Sequence, residues 1–226
     1  MNPSALFTHR LFGVFIGIVC LAAPLLAEPE DEFQFSFNHL EPGSMPPNIL
    51  IGETNGSGEL AYWQVVEMED APSGARAFGV TESRNLGEIF NLAFVQHSYF
   101  LNVELSVKIK ALSGVESQGG GILCRSHDPQ NYYVAYWNPL EKEFRIDAMV
   151  DGVRKRIASA AVDADTSKWH EIEIEVEDNE IEATFDDEVE LEVEDTHLAL
   201  AGMVGLWTQA DAATLFDDLE IELEDR

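Results

Sequence analysis

Strict alternation of apolar and charged residues dominates the last third of the chain. At 171–177, isoleucine and valine alternate with glutamate, and the same pattern recurs at 188–194 and 220–224. Successive side chains of a β-strand point to opposite faces of the sheet, so this pattern predicts strands with one buried and one solvent-facing side. Residues 100–112 alternate in the same way and predict a further strand.

Short strand-like segments separated by turn residues fill most of the remaining chain. Apolar residues at a spacing that could support a helix continue over several turns only at 11–26. The pattern therefore predicts an all-β fold, with two antiparallel sheets packed as a sandwich. Between residues 43 and 58, proline, glycine, asparagine and serine are frequent, and this segment is expected to be a loop.

The densest strand composition begins at three consecutive glycines, Gly119 to Gly121. A short apolar segment, 122–125, follows them, and residues 131–137 then contain three tyrosines and a tryptophan. Aromatic residues are favoured in strands, and glycine lets one backbone approach another closely. We expect the rest of the sheet to be built outward from these segments.

Two more strand segments, 143–150 and 153–159, are joined by Asp151-Gly152, which is a two-residue hairpin signal. With the two segments before them, they predict three or four neighbouring antiparallel strands. If the turn pairs its flanking valines, Asp147 lies directly opposite Arg156.

Side-chain parity divides these strands into two faces. We predict that aromatic and aliphatic residues at even positions form the core face: Tyr132, Val134, Tyr136, Phe144, Ile146 and Ala148. The opposite face and its adjoining turn are predicted to bind a ligand: Arg125, Asp128, Asn131, Tyr133, Trp137, Arg145, Asp147 and Arg156. Such a face is too polar for a core and too aromatic for a plain solvent face. The alternative is that its arginines pair with carboxylates and its aromatic rings cover a second layer of side chains.

Residues 1–27 are typical of an export signal. A basic residue is followed by an apolar run at 11–26, and Ala27 offers a small residue for cleavage before an acidic start. We predict a signal peptide at 1–27 and a single mature domain at 28–226, secreted or located in the periplasm or cell envelope, with no membrane contact beyond the signal segment. A retained membrane anchor and a lipid attachment at Cys20 are alternatives.

The mature chain is strongly acidic. Removing residues 1–27 takes away one of 13 Lys and Arg residues, and the remaining 12 face 42 Asp and Glu residues, a net charge of −30. Such a surface repels nucleic acids and anionic lipids, so we exclude nucleic-acid binding. Six basic and five acidic residues lie between 125 and 156, so the predicted ligand-binding face differs in charge from the remaining surface. An anionic sugar is one partner that this charge pattern would suit.

The glutamates that alternate along single strands do not indicate glycosidase chemistry. That chemistry needs two carboxyl groups in different environments on opposite sides of a sugar. A structural calcium ion is a hypothesis, because Asp217 and Asp218 precede the last predicted strand and an acidic pair precedes the first. Terminal strands of sandwiches often lie side by side, and Asp218 is the best single candidate ligand. Cys124, the one cysteine outside residues 1–27, is expected to point into the core.

Three stretches resemble the concanavalin A-like lectin and glucanase superfamily: GGGILCRSHDPQNYYVAYWNPLEKEFRIDAMVDG from residue 119, Trp169-His170, and GMVGLWTQADAATLFDDLEI from residue 202. The similarity covers about residues 33–224. More specifically, these residues resemble the laminin-G-like and 3-keto-disaccharide hydrolase-like domains of exported bacterial proteins. The resemblance implies a jelly-roll sandwich whose concave sheet binds carbohydrate.

The glucanase motif E-x-D-x-x-E is absent from the chain. We therefore interpret the protein as an exported, non-catalytic module that binds a poly- or oligosaccharide. A glycoside-acting enzyme, a hydrolase or lyase with Asp128, Asp147 or Arg125 among its polar groups, is the first alternative. A structural domain of the cell envelope with no small ligand is the second.

Overall fold

The computed structural model describes residues 32–223, and these residues form fifteen β-strands and no helix. The strands are β1 (Glu32–Phe35), β2 (Ile49–Thr54), β3 (Tyr62–Glu67), β4 (Arg76–Glu82), β5 (Phe90–Val95), β6 (Val103–Ser113), β7 (Gly120–Asp128), β8 (Asn131–Asn138), β9 (Glu143–Val150), β10 (Val153–Ala161), β11 (His170–Glu177), β12 (Glu180–Phe185), β13 (Val189–Glu194), β14 (Met203–Gln209) and β15 (Ala213–Glu222). A helix that could span a bilayer is not found in this part of the chain. The predicted signal peptide at 1–27 lies outside the described residues, so export stays a prediction.

The strands form two antiparallel sheets that pack face to face. The eight-stranded sheet has the order β13-β12-β11-β6-β15-β4-β3, with β1 paired to β15 as its remaining strand. The seven-stranded sheet has the order β10-β9-β8-β7-β14-β5-β2. The predicted all-β jelly-roll sandwich is confirmed, and the first and last strands lie side by side as expected.

The alternating segments bury the side that their pattern predicts. In β11, Ile172, Ile174 and Val176 are fully buried between the sheets, while the glutamates between them point outward. Complete burial of one such aliphatic side chain contributes about 1.5–3 kcal/mol. Cys124 belongs to the same core, and burial raises the pKa of its thiol to about 12, so this cysteine is a packing residue.

The expected loop at 43–58 contains a strand in its middle. Residues Ile49–Thr54 form β2, which pairs with β5 along its whole length at the edge of the seven-stranded sheet. Proline and glycine on both sides of this short segment obscure its strand character. Pairing with a neighbouring strand overrides that local composition.

The β8–β9 hairpin corrects the predicted assignment of faces. Asn138 pairs with Glu143, so four residues separate the paired ends, and even positions of β8 share a face with odd positions of β9. The core between the sheets therefore contains Tyr133, Ala135, Trp137, Phe144, Ile146 and Ala148. The opposite face carries Tyr132, Val134, Tyr136, Arg145, Asp147 and Met149. The predicted core set is thus correct for β9 and wrong for β8, whose even-numbered residues lie on the opposite face.

The seven-stranded sheet curls so strongly that its distant strands touch. Thr54 Oγ1 lies 2.9 Å from the Tyr132 hydroxyl of β8, and Asn55 donates a hydrogen bond to the Gly152 carbonyl of the β9–β10 turn at 2.8 Å. In a flat sheet, β2 and β8 would be about 19 Å apart, at ~4.8 Å for each of the intervening steps. The face that carries these side chains is therefore concave.

A second apolar cluster fills the concave face. The centroid of the Trp207 ring lies 5.2 Å from that of Phe90 and 4.6 Å from that of Tyr136. Its Nε1 donates a hydrogen bond to the Tyr132 hydroxyl at 3.1 Å. All four side chains are almost completely buried. Aromatic residues thus form the base of the concave face and leave its polar residues to form the surface.

On the outer face of the eight-stranded sheet, glutamates stand directly opposite one another from strand to strand. We call this line the glutamate row, and it crosses β1, β15, β6, β11, β12 and β13 at Glu32, Glu222, Glu104, Glu175, Glu182 and Glu192. Like charges at directly opposed positions destabilise a sheet. Burial, together with the carboxylates of Asp187 and Glu171, raises the pKa of Glu173 on the same face.

Replacing Glu182 by Gln is expected to raise the free energy of unfolding by about 0.2–1 kcal/mol at low ionic strength, because it removes a charge between two opposed glutamates. Urea denaturation at about 0.01 M and about 1 M NaCl checks this, since the Debye length falls from ~30 Å to ~3 Å and the gain should shrink accordingly. Glu41→Gln, in a turn outside the row, is the matched control. A gain that is equal at both salt concentrations, or equal in the control, would contradict repulsion within the row.

Candidate functional site

Three neighbouring strands place a polar group on the concave face of the seven-stranded sheet. The pairing of β8, β9 and β10 aligns Tyr136, Arg145, Asp147, Arg154 and Arg156, which we call the concave-face cluster. The predicted opposition of Asp147 and Arg156 is confirmed. Arg145, Asp147 and Arg156 are the predicted ligand-binding residues that the structure brings together.

Asp147 lies at the base of the cluster and is 1% exposed. Its Oδ2 accepts a hydrogen bond from the Tyr136 hydroxyl at 2.9 Å and lies 3.9 Å from Arg154 Nε. Its Oδ1 is buried and has no hydrogen-bond partner within residues 32–223. Burial raises the pKa of the Asp147 carboxyl, although the Tyr136 hydroxyl and the arginines act in the opposite direction. Because buried polar atoms are almost always paired, a donor that a movement of the covering side chains admits to this oxygen would be stabilised.

Arg145 is fixed by carboxylates and by an aromatic ring. Its Nε donates to Glu143 at 2.6 Å, its Nη1 donates to the Tyr136 hydroxyl at 3.0 Å, and its guanidinium also pairs with Glu141. The guanidinium carbon lies 5.8 Å from the centroid of the Tyr136 ring. These contacts use most of its donors, so Arg145 positions the tyrosine that in turn holds Asp147.

Arg154 and Arg156 form the exposed side of the cluster, with side chains 22% and 49% exposed. Arg154 donates to Glu88 at 2.6 Å and to Gln209 at 3.0 Å. Glu88 precedes β5 and Gln209 ends β14, so these contacts bridge the concave face. Arginine presents planar N–H donors, and Asp147 presents acceptors beside them, which suits groups that both donate and accept, such as hydroxyls.

Tyr133 and Trp137 do not lie on this face. Both are fully buried in the core between the sheets. The Tyr133 hydroxyl donates a hydrogen bond to Asp195 at 2.5 Å, and the ring centroids of Trp137 and Phe185 are 5.4 Å apart. Their predicted placement is wrong because the β8–β9 pairing is shifted by one residue from the assumed one. The concave face therefore lacks the aromatic platform that the sequence suggested.

Asp128 and Asn131 stabilise turns. Asn131 Nδ2 donates to Asp128 Oδ1 at 3.0 Å, and the Gln130 amide donates to the same oxygen at 2.7 Å. The side-chain Oδ1 of Asn131 accepts a hydrogen bond from the Asp151 amide of the next turn at 2.9 Å. Their polar atoms thus connect the β7–β8 turn to the β9–β10 turn.

Arg125 is buried, with 1% exposure, and acts as a structural residue. Its guanidinium donates to the carbonyls of Leu101, Leu198 and Asp178 at 2.8, 3.2 and 2.5 Å, which ties three loops together. Its predicted place on the ligand-binding face is wrong because β7 is irregular here: Arg125 has a φ of 47° and the register shifts after Cys124. A bulge of this kind breaks side-chain parity.

Four residues of the site were not predicted from the sequence. Tyr136 and Arg154 stand beside predicted residues, and the correct hairpin register would have identified both. Glu88 and Gln209 come from distant parts of the sequence and reach Arg154 only because the sheet curls. No local pattern marks those two.

The proposed calcium ligands lie within β15 and not before it. Asp217 is fully buried and accepts hydrogen bonds from the amide and the hydroxyl of Ser73, both at 3.0 Å. Asp218 lies in a bulge with a φ of 47°, and burial, together with Asp217, raises the pKa of its carboxyl. Among the described residues, a group of three carboxylates meets within 4.8 Å on the paired terminal strands: Glu32, Glu220 and Glu222. A calcium ion stays a prediction.

Arg125→Ala is expected to lower the free energy of unfolding by about 3–5 kcal/mol, because it removes a buried side chain and leaves carbonyls without donors. Urea denaturation measures the loss. Arg84→Ala is the matched control, since the Arg84 side chain is 73% exposed and pairs with two exposed glutamates. Its cost should stay within about 0.5 kcal/mol. Similar costs for the two variants would show that the Arg125 contacts contribute little.

Asp147→Asn is expected to change the pH dependence of folding. The pKa of Asp147 is raised in the folded protein, so the folded state binds more protons and the stability of the wild type falls as pH rises through that range. The amide cannot ionise, so the stability of the variant relative to the wild type should increase as pH rises from about 4 to about 7. Urea denaturation across this range tests the sign. A relative stability that stays constant or decreases would contradict it.

No family model and no curated protein matches the chain. Solved structures do match it, among them the carbohydrate-binding module CBM66 from Bacillus subtilis, which is 18% identical with a TM-score of 0.59 over 76% of this chain and 94% of the module. The cellulose-induced protein Cip1 is 15% identical with a TM-score of 0.62, and the match covers 85% of this chain and 97% of Cip1. The GH16 protein of a mixed-linkage glucan locus of Bacteroides ovatus, in complex with the product G4G4G3G, is 9% identical with a TM-score of 0.56 over 84% of this chain and 98% of that chain. The chain thus has the jelly-roll sandwich fold that these structures share. The resemblance to the concanavalin A-like superfamily, and the narrower one to laminin-G-like and 3-keto-disaccharide hydrolase-like domains, stay predictions.

Proposed function

We propose that the protein is a non-catalytic carbohydrate-binding module, and that it binds a neutral oligosaccharide at the concave-face cluster. The observation that carries this proposal is the Asp147 carboxylate, which is buried beside arginines while its Oδ1 has no partner among the described residues. When the side chains that cover this oxygen move aside, a sugar hydroxyl can donate to it and accept from Arg154 at the same time. Likeness of fold supports the proposal, since one similar structure is a carbohydrate-binding module and another holds a glucan product.

The charges of the cluster favour a neutral ligand over the anionic sugar that composition suggested. Arg145 pairs with Glu141 and Glu143, and Arg154 pairs with Glu88. The third arginine, Arg156, lies 3.5 Å from Glu143. Each cation is thus already balanced by a carboxylate, and an anionic ligand would have to displace these acids.

The same ion pairs favour binding over catalysis. A glycosidase needs one carboxylic acid and one carboxylate on opposite sides of the scissile bond. Glu143 and Glu88 are occupied by Arg145 and Arg154. Asp147 is then the one carboxyl of the group that has an oxygen without a hydrogen-bond partner among the described residues, and a single carboxyl can orient a sugar without cleaving it.

In the proposed site, hydrogen bonds from polar side chains hold the sugar, and aromatic rings do not stack on it. The rings of Tyr132, Tyr136 and Trp207 are at most 1% exposed, so they support the cluster from below. Selectivity then comes from the positions of donors and acceptors around one or two hydroxyl-bearing carbons, as in sites that fix a sugar by a few convergent polar groups.

Residues 28–226 are expected to bind at least one neutral glycan on an array, with the G4G4G3G tetrasaccharide of mixed-linkage glucan and arabinotriose measured by calorimetry. Arg154→Ala and Asp147→Asn should each weaken binding about 10- to 100-fold, the loss expected for one charged hydrogen bond. Arg84→Ala removes an exposed arginine elsewhere and should bind like the wild type.

Three outcomes would overturn this proposal. One is a folded protein that binds no neutral glycan, which would favour a structural domain of the envelope. Another is binding that Arg154→Ala and Asp147→Asn leave unchanged. Release of shorter sugars from the tetrasaccharide, lost in Asp147→Asn, would establish the enzyme alternative.

A further inference from the structure

A shallow groove of about 340 Å³ lies on the outer face of the eight-stranded sheet, on the other side of the sandwich from the concave-face cluster. Its walls come from the β3–β4 connection, which contributes Pro72, and from the β12–β13 turn, which contributes Asp187. Its floor contains Lys108 of β6, Glu171 of β11 and Trp169, which directly precedes β11. The groove therefore combines an indole ring with charged side chains on a rigid sheet.

Trp169 differs from the other tryptophans of the chain. Trp63, Trp137 and Trp207 are at most 4% exposed, whereas Trp169 is partly exposed and lines the groove. Lys110 Nζ lies 5.9 Å from the centroid of its ring. An aromatic surface beside polar groups is the usual means by which a protein contacts the C–H face of a sugar ring.

The backbone around Trp169 is held in place by the next residue. His170 is buried, with Nδ1 2.6 Å from Asp186 Oδ2 and Nε2 2.8 Å from the Asp165 carbonyl. The other oxygen of Asp186 accepts a hydrogen bond from the Glu171 amide at 2.8 Å. These contacts lock the start of β11 to the β12–β13 turn, so the ring and the opposite wall keep a fixed separation.

The lining of the groove is acidic, because it carries Glu171, Asp186 and Asp187 and a single lysine, Lys108. Lys108 Nζ pairs with Glu171 at 2.6 Å, both side chains being about one third exposed, and Lys110 pairs with Asp70. Farther along the same sheet the outward positions are glutamates that oppose one another. A ligand in the groove therefore meets one lysine among carboxylates. The net negative charge disfavours an anion, whereas a neutral molecule rich in hydroxyls can donate hydrogen bonds to the carboxylates.

We propose that this groove is a second carbohydrate-binding site, which takes a neutral sugar ring on the indole of Trp169, with its hydroxyls on Lys108, Glu171 and Asp187. The site is separate from the concave-face cluster, and its function does not require that cluster to bind sugar. Two sites on opposite faces would let one molecule hold two stretches of a polysaccharide, so that a long glucan binds more tightly than a short one.

Tryptophan fluorescence isolates this site, because Trp169 is partly exposed while the other three tryptophans are at most 4% exposed. Neutral oligosaccharides (G4G4G3G, xylotetraose and arabinotriose) and soluble mixed-linkage β-glucan are added to the mature chain, and acrylamide quenching is recorded. We expect at least one of them to protect Trp169 from quenching. Protection should persist in Arg154→Ala, which affects only the concave-face cluster, so a failure of the proposed function and a failure of this inference give different results.

Variants at the groove provide the second readout, which is affinity measured by calorimetry in the Arg154→Ala background. Trp169→Ala should weaken binding about tenfold, the change that corresponds to ~1.4 kcal/mol of lost ring contact. Trp169→Phe should retain most of the binding, and Asp187→Asn should weaken it without removing the ring. Asparagine tolerates the φ of 54° at this position. Tyr99→Ala removes an aromatic residue that is 60% exposed outside the groove and is the matched control.

Either of two results would overturn the inference. The first is that none of the four probes protects Trp169 in a folded protein. The second is that protection disappears in Arg154→Ala while Trp169→Ala and Asp187→Asn, each introduced alone, bind like the wild type, because all binding would then belong to the concave-face cluster.

Discussion

Contact between distant strands of the seven-stranded sheet determines the character of its concave face. Thr54 meets Tyr132 and Asn55 meets the Gly152 carbonyl, so the sheet is closed across its own surface. The closure buries an aromatic layer and removes water from Asp147, which raises the pKa of its carboxyl. A flat sheet with the same residues would leave Asp147 hydrated and would hold Glu88 far from Arg154. The proposed binding chemistry therefore depends on curvature as much as on residue type.

Carboxylates have different neighbours on the two sheets. On the concave face, Glu141, Glu143 and Glu88 each balance an arginine and hold it in position. On the outer face of the eight-stranded sheet, glutamates oppose glutamates, and dissolved ions reduce their repulsion. The first arrangement positions a site, and the second sets the charge of the surface. Net charge alone, the only electrostatic quantity that composition supplies, does not distinguish them.

The fold could be predicted from the sequence because strand alternation is a local property. Ile172 and Ile174 are buried and the glutamates beside them face outward, as the period of two requires. The site could be predicted only in part, because it depends on register. One residue of shift in the β8–β9 hairpin moved Tyr133 and Trp137 into the core, and a bulge removed Arg125 from the face. Glu88 and Gln209 depend on curvature, which no short segment of sequence encodes.

The glutamate row also bears on what happens at the edge of the eight-stranded sheet. β13 is an edge strand, and such strands offer unpaired backbone groups to any other strand of similar pattern. Its outward side carries Glu190, Glu192 and Glu194. A second molecule that added a strand here with its apolar side aligned to the core would bring its own carboxylates against these. The line of negative charge thus favours separate molecules over fibres that would grow through this sheet edge.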